Sequence, residues 1–242
     1  MLAGRPQLRP QVRVQLRMMR RLALLICVLG MLALPQAASA RIVELGDNAG
    51  PAKSNCPSDP CEAIGRVTGY QGRSGSVSNP FRIPRSGKVV AFTITLAEVT
   101  AQQTDYFTGL YGSPPQVRLA ILRKGKTRRT RLSHRLIRQS KVYNVQRYLG
   151  STPSFALDKP LVVKRGYIVA ITVPTWLPAF AFSGLSSTNW WRSSRRKGNC
   201  GNATQRAAQQ RIGGKRTYGC TYHKARLLYT ATYIPDPRPT SR

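Results

Sequence analysis

Acidic residues are scarce in this chain: eight Asp and Glu stand against 39 Lys and Arg in 242 residues, a formal net charge of +31. So few carboxylates leave little material for paired acid–base catalysis. Histidine is scarcer still. His134 and His223 are the only two, which excludes a three-histidine metal centre. There is no Gly-x-Ser-x-Gly elbow; Gly72-Arg73-Ser74-Gly75 has the wrong spacing for one. The apolar run Leu22 to Leu34 has 13 residues, short of the ~20 that a bilayer span needs. After that run helical periodicity is nearly absent, and no βαβ alternation is visible, which argues against a parallel α/β sheet.

What is present begins with a leader pattern. Basic residues from Arg5 to Arg21 precede the apolar run, and Ala38-Ser39-Ala40 follows as a small-x-small cleavage site. Residues 1–40 are therefore expected to be a signal peptide, and Met18 offers a start with a shorter leader. Cleavage after Ala40 removes Cys27 and leaves Cys56, Cys61, Cys200 and Cys220. An even cysteine set in an exported chain points to disulfides. Four cysteines allow three pairings. Proximity favours Cys56 with Cys61 and Cys200 with Cys220. The spacings do not match the close pairs of a zinc site.

The positive charge is uneven. Residues 41–122 hold eight basic and six acidic side chains, whereas residues 123–242 hold 25 basic and two acidic. Such a half attracts polyanions. Outside a cell the candidates are anionic polysaccharides, cell-wall polymers, anionic lipid and, less favoured, extracellular nucleic acid. Arg123 to Arg147 has ten Lys or Arg and no acid, and a second cluster is Arg195-Arg196-Lys197. Arginine gives bidentate contacts to carboxylate and phosphate. The best candidate contacts are Arg128, Arg129, Arg131, Arg195, Arg196 and Lys197. No cofactor or metal is expected.

The patterning after the leader is that of strands. Val90, Phe92, Ile94 and Leu96 fall on one face of a period-two run. Val117, Leu119 and Ile121 alternate with an outward Arg118. Tyr167 to Val173 is apolar on both faces, the mark of a central strand. Leu161 to Val163, turning at Lys164-Arg165-Gly166 into Tyr167, reads as a hairpin. Thr221 to Tyr233 reads as one last strand, with His223 on its apolar face. Weaker strands are expected at 63–70, 81–83, 135–145 and 155–157. About eight or nine antiparallel strands with Gly and Pro turns predict a single jelly-roll-like β-sandwich. The sandwich is expected over 62–234, after an N-terminal segment 41–61 with its short Cys loop. Residues 189–219 read as a basic surface excursion, with a short helix over Ala203 to Arg211, and 235–242 as a disordered tail.

Constellations for chemistry are thin. Glu98, at a strand end, and Asp105, in a loop, have no spacing that enforces a glycosidase geometry. Ser194-Arg195-Arg196-Lys197 matches Ser-x-x-Lys without its companion motifs. Tyr222, His223 and Lys224 suit β-elimination on uronic-acid polymers. Adjacent strand residues, however, point to opposite faces. His134, beside a run of arginines, is expected to be solvated. Trp176, Trp190 and Trp191 are either stacking platforms or plugs at the sandwich ends, and the Pro174 to Phe180 segment reads as a packed corner.

The run Cys56-Pro57 through Cys61-Glu62-Ala63-Ile64-Gly65-Arg66-Val67-Thr68-Gly69-Tyr70-Gln71 is one of three diagnostic stretches. The others are Thr172-Val173-Pro174-Thr175-Trp176 and Ala225-Arg226-Leu227-Leu228-Tyr229. Together they resemble secreted proteins of unassigned function from high-GC actinobacteria. The resemblance implies a secreted β-sandwich and brings no activity or ligand with it. The reading that follows is a secreted, non-catalytic protein associating with anionic polymers. The alternative is a polysaccharide-active jelly-roll enzyme, a lyase or glycoside hydrolase acting on an acidic glycan.

Overall fold

The computed structural model describes residues 41–46 and 52–238. The expected leader, 1–40, and the end of the expected tail, 239–242, lie outside the described residues. The body is an all-β, sandwich-like fold of antiparallel sheets. The smaller sheet has the order β1 (Val43–Leu45), β15 (Tyr229–Pro235), β4 (Gly87–Ile94), β8 (Ser154–Val163). The larger runs β12 (Lys215–Thr217), β6 (Ser133–Gln139), β5 (Gln116–Lys124), β9 (Ile168–Leu177), β2 (Ile64–Ser74), β11 (Trp190–Ser193), β13 (Cys220–His223). On it, β3 (Val77–Ser78) pairs with β2 and β7 (Tyr143–Asn144) with β5. A two-stranded ribbon joins β10 (Phe180–Ala181) to β14 (Arg226–Leu227). The strand count exceeds the expected eight or nine because short edge pieces of two to four residues pair separately.

The core lies between the two sheets. Phe92, Phe155, Leu161, Ala231 and Tyr233 from the smaller sheet meet Leu119, Ile121, Val169 and Ile171 from the larger in one buried cluster. Phe92 stacks on Phe155 and meets Tyr143 edge-on. The Tyr229 hydroxyl crosses the core to donate to the Val169 carbonyl at 3.0 Å. The β4 alternation holds with one shift: Val89 rather than Val90 faces in. The β15 and β8 ladders both change register between Val89 and Ala91, and a bulge turns one residue out of phase.

Three expected elements differ. The Lys164-Arg165-Gly166 turn does not close a hairpin, because β8 and β9 belong to different sheets and the turn crosses between them. Thr221 to Tyr233 is not one strand. Lys224, at φ 54°, breaks it, and its pieces β13, β14 and β15 enter three separate sheets; His223 is exposed. A helix, α1 (Ala101–Tyr111), occupies what read as a loop, so Asp105 is helical. Thr100 caps it by accepting from the Gln103 amide, and the Gln103 side chain accepts from the Thr100 N–H. This is the reciprocal Thr-x-x-Gln capping box. Phe107 and Tyr111, four residues apart on one face, pack on the fully buried Trp176. The proline-framed segment is thus a packed corner, as its composition indicates.

The segment 189–219 is a surface excursion only in part: residues 196–199, 201–202 and 210–213 are exposed, but both ends join the larger sheet. β11 lies between β2 and β13 inside the larger sheet, and β12 extends that sheet beyond β6. Residues 203–211 form no helix; after a turn at Ala203-Thr204 they run without regular structure against β2 of the larger sheet. There the Ala207 N–H donates to the Arg66 carbonyl at 2.8 Å, and the Gln209 N–H to Thr68 Oγ1 at 2.8 Å. This cover explains why β5 and β9 are buried on both faces and why Arg118 is not solvated. Arg118 is buried and bonds Gln210. β15 includes Pro235, and the Asp236 N–H donates to the Ser86 carbonyl, so the chain stays attached past the start of the expected tail.

His134 reverses its expected exposure: it is 0 % exposed. It sits between the Tyr70 and Tyr218 rings. Its Nδ1 is 3.0 Å from the Leu132 carbonyl, and its Nε2 is 3.1 Å from the Tyr70 hydroxyl. A carbonyl can only accept, so Nδ1 carries the proton and Nε2 accepts from Tyr70, the pattern of a neutral imidazole. Burial pushes the His134 pKa down to about 4, and the nearby Lys124 and Arg192 add to the shift. The unfolded imidazole takes its proton near pH 6.5, while the native one does not until about pH 4. The unfolded state therefore binds more protons in that window, and stability falls as pH drops through it. Urea titrations at pH 7 and pH 4 are expected to show a loss of about 3 kcal/mol from this group. His134→Gln should remove most of that pH dependence; an unchanged slope would place its origin elsewhere.

Candidate polyanion-binding face

Some of the cations of the C-terminal half gather at one edge of the larger sheet. Arg123 stands opposite Arg135 in the β5–β6 ladder, and Arg135 stands opposite Lys215 in the β6–β12 ladder. Three positive side chains therefore cross three neighbouring strands, spaced by ~4.8 Å per strand. Like charges directly opposite one another destabilise a sheet, so this row is unfavourable without a counter-charge. None is supplied from within: among the described residues the one ion pair joins Lys141 to Asp158, elsewhere on the surface. Arg135 is steadied by donating to the Gly213 carbonyl at 2.8 Å, a neutral partner that leaves its charge in place.

Two grooves flank the row and share Lys215. One, of about 330 Å³, is lined by Arg123, Lys124, Lys126 and Arg135 with Thr130 and Ser133. The other, of about 630 Å³, is lined by Arg196, Arg206 and Arg216 with Ser194, Gln205 and Thr217. Neither has an acidic side chain in its lining. Partial burial lowers the Lys124 pKa, and the fields of Arg192, Arg131 and Arg82 lower it further.

The expected contacts fall into two groups. Arg128, Arg129 and Arg131 are exposed on the turn from β5 to β6, next to the first groove. That turn is braced: the Thr127 and Thr130 hydroxyls bond one another at 2.8 Å, and each accepts from the other's backbone N–H. Arg196 lines the second groove, and Lys197 is exposed on the tight turn that follows. Arg195 is a correction. Its Nη1 donates to the Cys200 carbonyl at 3.1 Å and to the Tyr222 hydroxyl at 3.3 Å, and its Nη2 donates to the Gly65 carbonyl at 3.2 Å. It is half-buried structure, turned away from the face that its neighbour Arg196 joins.

The Arg123 to Arg147 run was visible as a basic cluster, but Arg123, Lys124, Lys126 and Arg135 were not chosen from it as contacts, and Arg206, Lys215 and Arg216 were missed. Lys215-Arg216 has a visible signal, a basic pair behind Gly213-Gly214. Its pairing with β6 is a register fact that spacing does not contain.

The other candidate constellations serve as structure. Ser194 Oγ accepts from the Thr68 N–H at 2.9 Å and donates to the Ala207 carbonyl at 2.6 Å, so it is a clamp and no nucleophile. Tyr222 and His223 alternate on β13, opposite Trp191 and Trp190. Trp191 is buried, with Gly69 beneath one face and Tyr222 stacked at 4.5 Å on the other. A Cβ at Gly69 would meet the Trp191 ring at 2.7 Å, so this position admits only glycine.

No family model, curated protein or solved structure matches this chain.

Both disulfides form as proximity indicates, Cys56 with Cys61 and Cys200 with Cys220. The second ties the basic turn carrying Arg196 and Lys197 to β13. Two disulfides fit an oxidising compartment. Among the described residues no helix is long and apolar enough to cross a membrane.

Neighbouring arginines with different partners separate stability from binding. Arg195→Met removes hydrogen bonds to the Cys200 and Gly65 carbonyls and the Tyr222 hydroxyl and is expected to cost about 2–3 kcal/mol in a denaturant melt. Arg196→Glu, on an exposed turn, is expected to stay within about 0.5 kcal/mol of wild type. Equal losses would contradict the assignment of Arg195 as structure.

Proposed function

We propose that this is a secreted, non-catalytic β-sandwich protein that associates with anionic extracellular or cell-envelope polymers, acidic polysaccharide foremost. The observation that carries the reading is the Arg123–Arg135–Lys215 row, three uncompensated cations crossing one sheet edge between two basic grooves. A polyanion is the missing counter-charge, and its repeating carboxylates match a repeating row of cations. The leader pattern of residues 1–40 and the two disulfides support export.

Association through this face is electrostatic, so it weakens as salt rises. On immobilised polygalacturonate, wild type is expected to be retained at low salt and released as ionic strength increases. The triple variant Arg128→Glu, Arg129→Glu, Arg131→Glu, and separately Arg123→Glu with Lys215→Glu, should elute at markedly lower salt with melting temperatures near wild type. Unchanged elution of both variants would show that the face does not bind. Preferential release by DNA over free polygalacturonate would reassign the ligand to nucleic acid.

A further inference from the structure

A second, chemically different cavity lies away from the basic face. It has a volume of about 340 Å³, within the range of small-ligand sites. It opens between α1, the first residues of β2 and the two disulfide-bearing segments, and both Cys61 and Cys200 are in its wall. Its lining is aromatic, with one cation and one acid: Arg195 inside and the exposed Glu62.

The wall is rigid. A Cβ at Gly65 would lie 2.1 Å from the Tyr111 ring, so α1 sits directly on β2 at this point. Arg66 Nε donates to the Tyr111 carbonyl at 3.0 Å, fixing the end of the helix. Trp191 is covered on both faces and acts as wall. Tyr106 differs. It is 65 % exposed although it is a large aromatic, and it lines the same cavity. An uncovered aromatic face beside a cavity is a stacking surface for the C–H face of a sugar ring.

Arg195 supplies the selectivity. The acceptors around its guanidinium are the Cys200 and Gly65 carbonyls and the Tyr222 hydroxyl, all neutral. Among the described residues no carboxylate lies within ion-pair distance of it. The cation is therefore held in place without being neutralised, in a partly desolvated site where its field is stronger than in water. A ligand carrying one carboxylate beside an apolar ring face complements both features.

We propose that this cavity is a subsite for a single uronate residue of an acidic glycan, with the sugar ring on Tyr106 and its carboxylate drawn to Arg195. The choice of glycan rests on the proposed function; the location rests on the cavity, with one cation beside one exposed aromatic ring. The basic face would then hold the polymer by charge, and the cavity would read one residue of it.

Trp191 in the wall gives a fluorescence reporter. Titration of the wild-type protein with trigalacturonate is expected to saturate, and to persist at 0.5 M NaCl with less than a tenfold loss. Neutral galactotriose should bind at least tenfold more weakly. Tyr106→Ala is on the surface and is expected to fold; it should weaken trigalacturonate binding at least tenfold. Glu62→Gln removes a like charge from the lining and should tighten binding a few-fold. Arg195 is left intact because its loss destabilises the fold. Charge reversal at Arg123 and Lys215 should leave trisaccharide binding within twofold of wild type. Absent saturation, equal binding of galactotriose, or a Tyr106→Ala protein indistinguishable from wild type would each overturn the proposal. Trisaccharide binding that survives while polymer retention proves insensitive to the basic face would support the cavity and sink only the reading of that face.

Discussion

One hydrogen-bonded seam decides what the C-terminal half of this protein is. The Thr68 N–H donates to Ser194 Oγ, Ser194 donates on to the Ala207 carbonyl, and the Gln209 N–H donates to Thr68 Oγ1. Thr68 also shares a hydrogen bond with Thr172 on β9, 2.8 Å away. Gln209 then reaches the carbonyls of His134 and Gly214 and accepts from the Tyr218 hydroxyl. Buried polar groups are costly when unpaired and rigidifying when fully paired. Here they lace a stretch with few apolar residues onto the second face of the larger sheet. Without the seam, 189–219 would be the mobile basic loop its composition describes.

That lacing changes what the charge can do. A flexible arginine-rich loop spreads its cations and loses entropy when it binds. A row built on β5, β6 and β12 is already ordered, so binding a polyanion orders little more of the protein. The cost appears in the free protein, where like charges stand opposite one another with no acid nearby. The Cys200–Cys220 bridge and the braced β5–β6 turn hold the flanking cations against that repulsion. The same logic separates Arg195 from Arg196. Arg195 is held by two carbonyls and a phenol in the wall of the cavity, whereas Arg196 lies exposed beside the second groove.

Much of the fold was legible in the sequence, and what was not has particular causes. Period-two runs identified β4 and β5, a stretch apolar on both faces identified the doubly buried β9, and proximity identified both disulfides. The cross-over after Gly166 was not legible, because a tight turn looks the same whether its strands share a sheet or change sheets. The last strand was misread because Lys224 adopts a positive φ that its side chain does not advertise. The capping box at Thr100 and Gln103 was a readable helix start, but only Phe107 and Tyr111 turn inward, too few to show a period. The polar cover over 203–211 was hidden because its buried members are Ala207 and Gln209 rather than large hydrophobics. His134 was hidden for a related reason: its solvent shield comes from Tyr70 and Tyr218, far away in sequence. For the face itself, two clusters were visible as composition. Their union through Lys215 depended on strand register.

Amide hydrogen exchange on the wild-type protein tests the central claim most directly. The account predicts that the amides of Thr68, Ser194, Ala207 and Gln209, with those of β12 paired to β6, are protected for as long as the core amides of β9. Exchange of 203–217 at the rate of an open loop, while β9 stays protected, would contradict it.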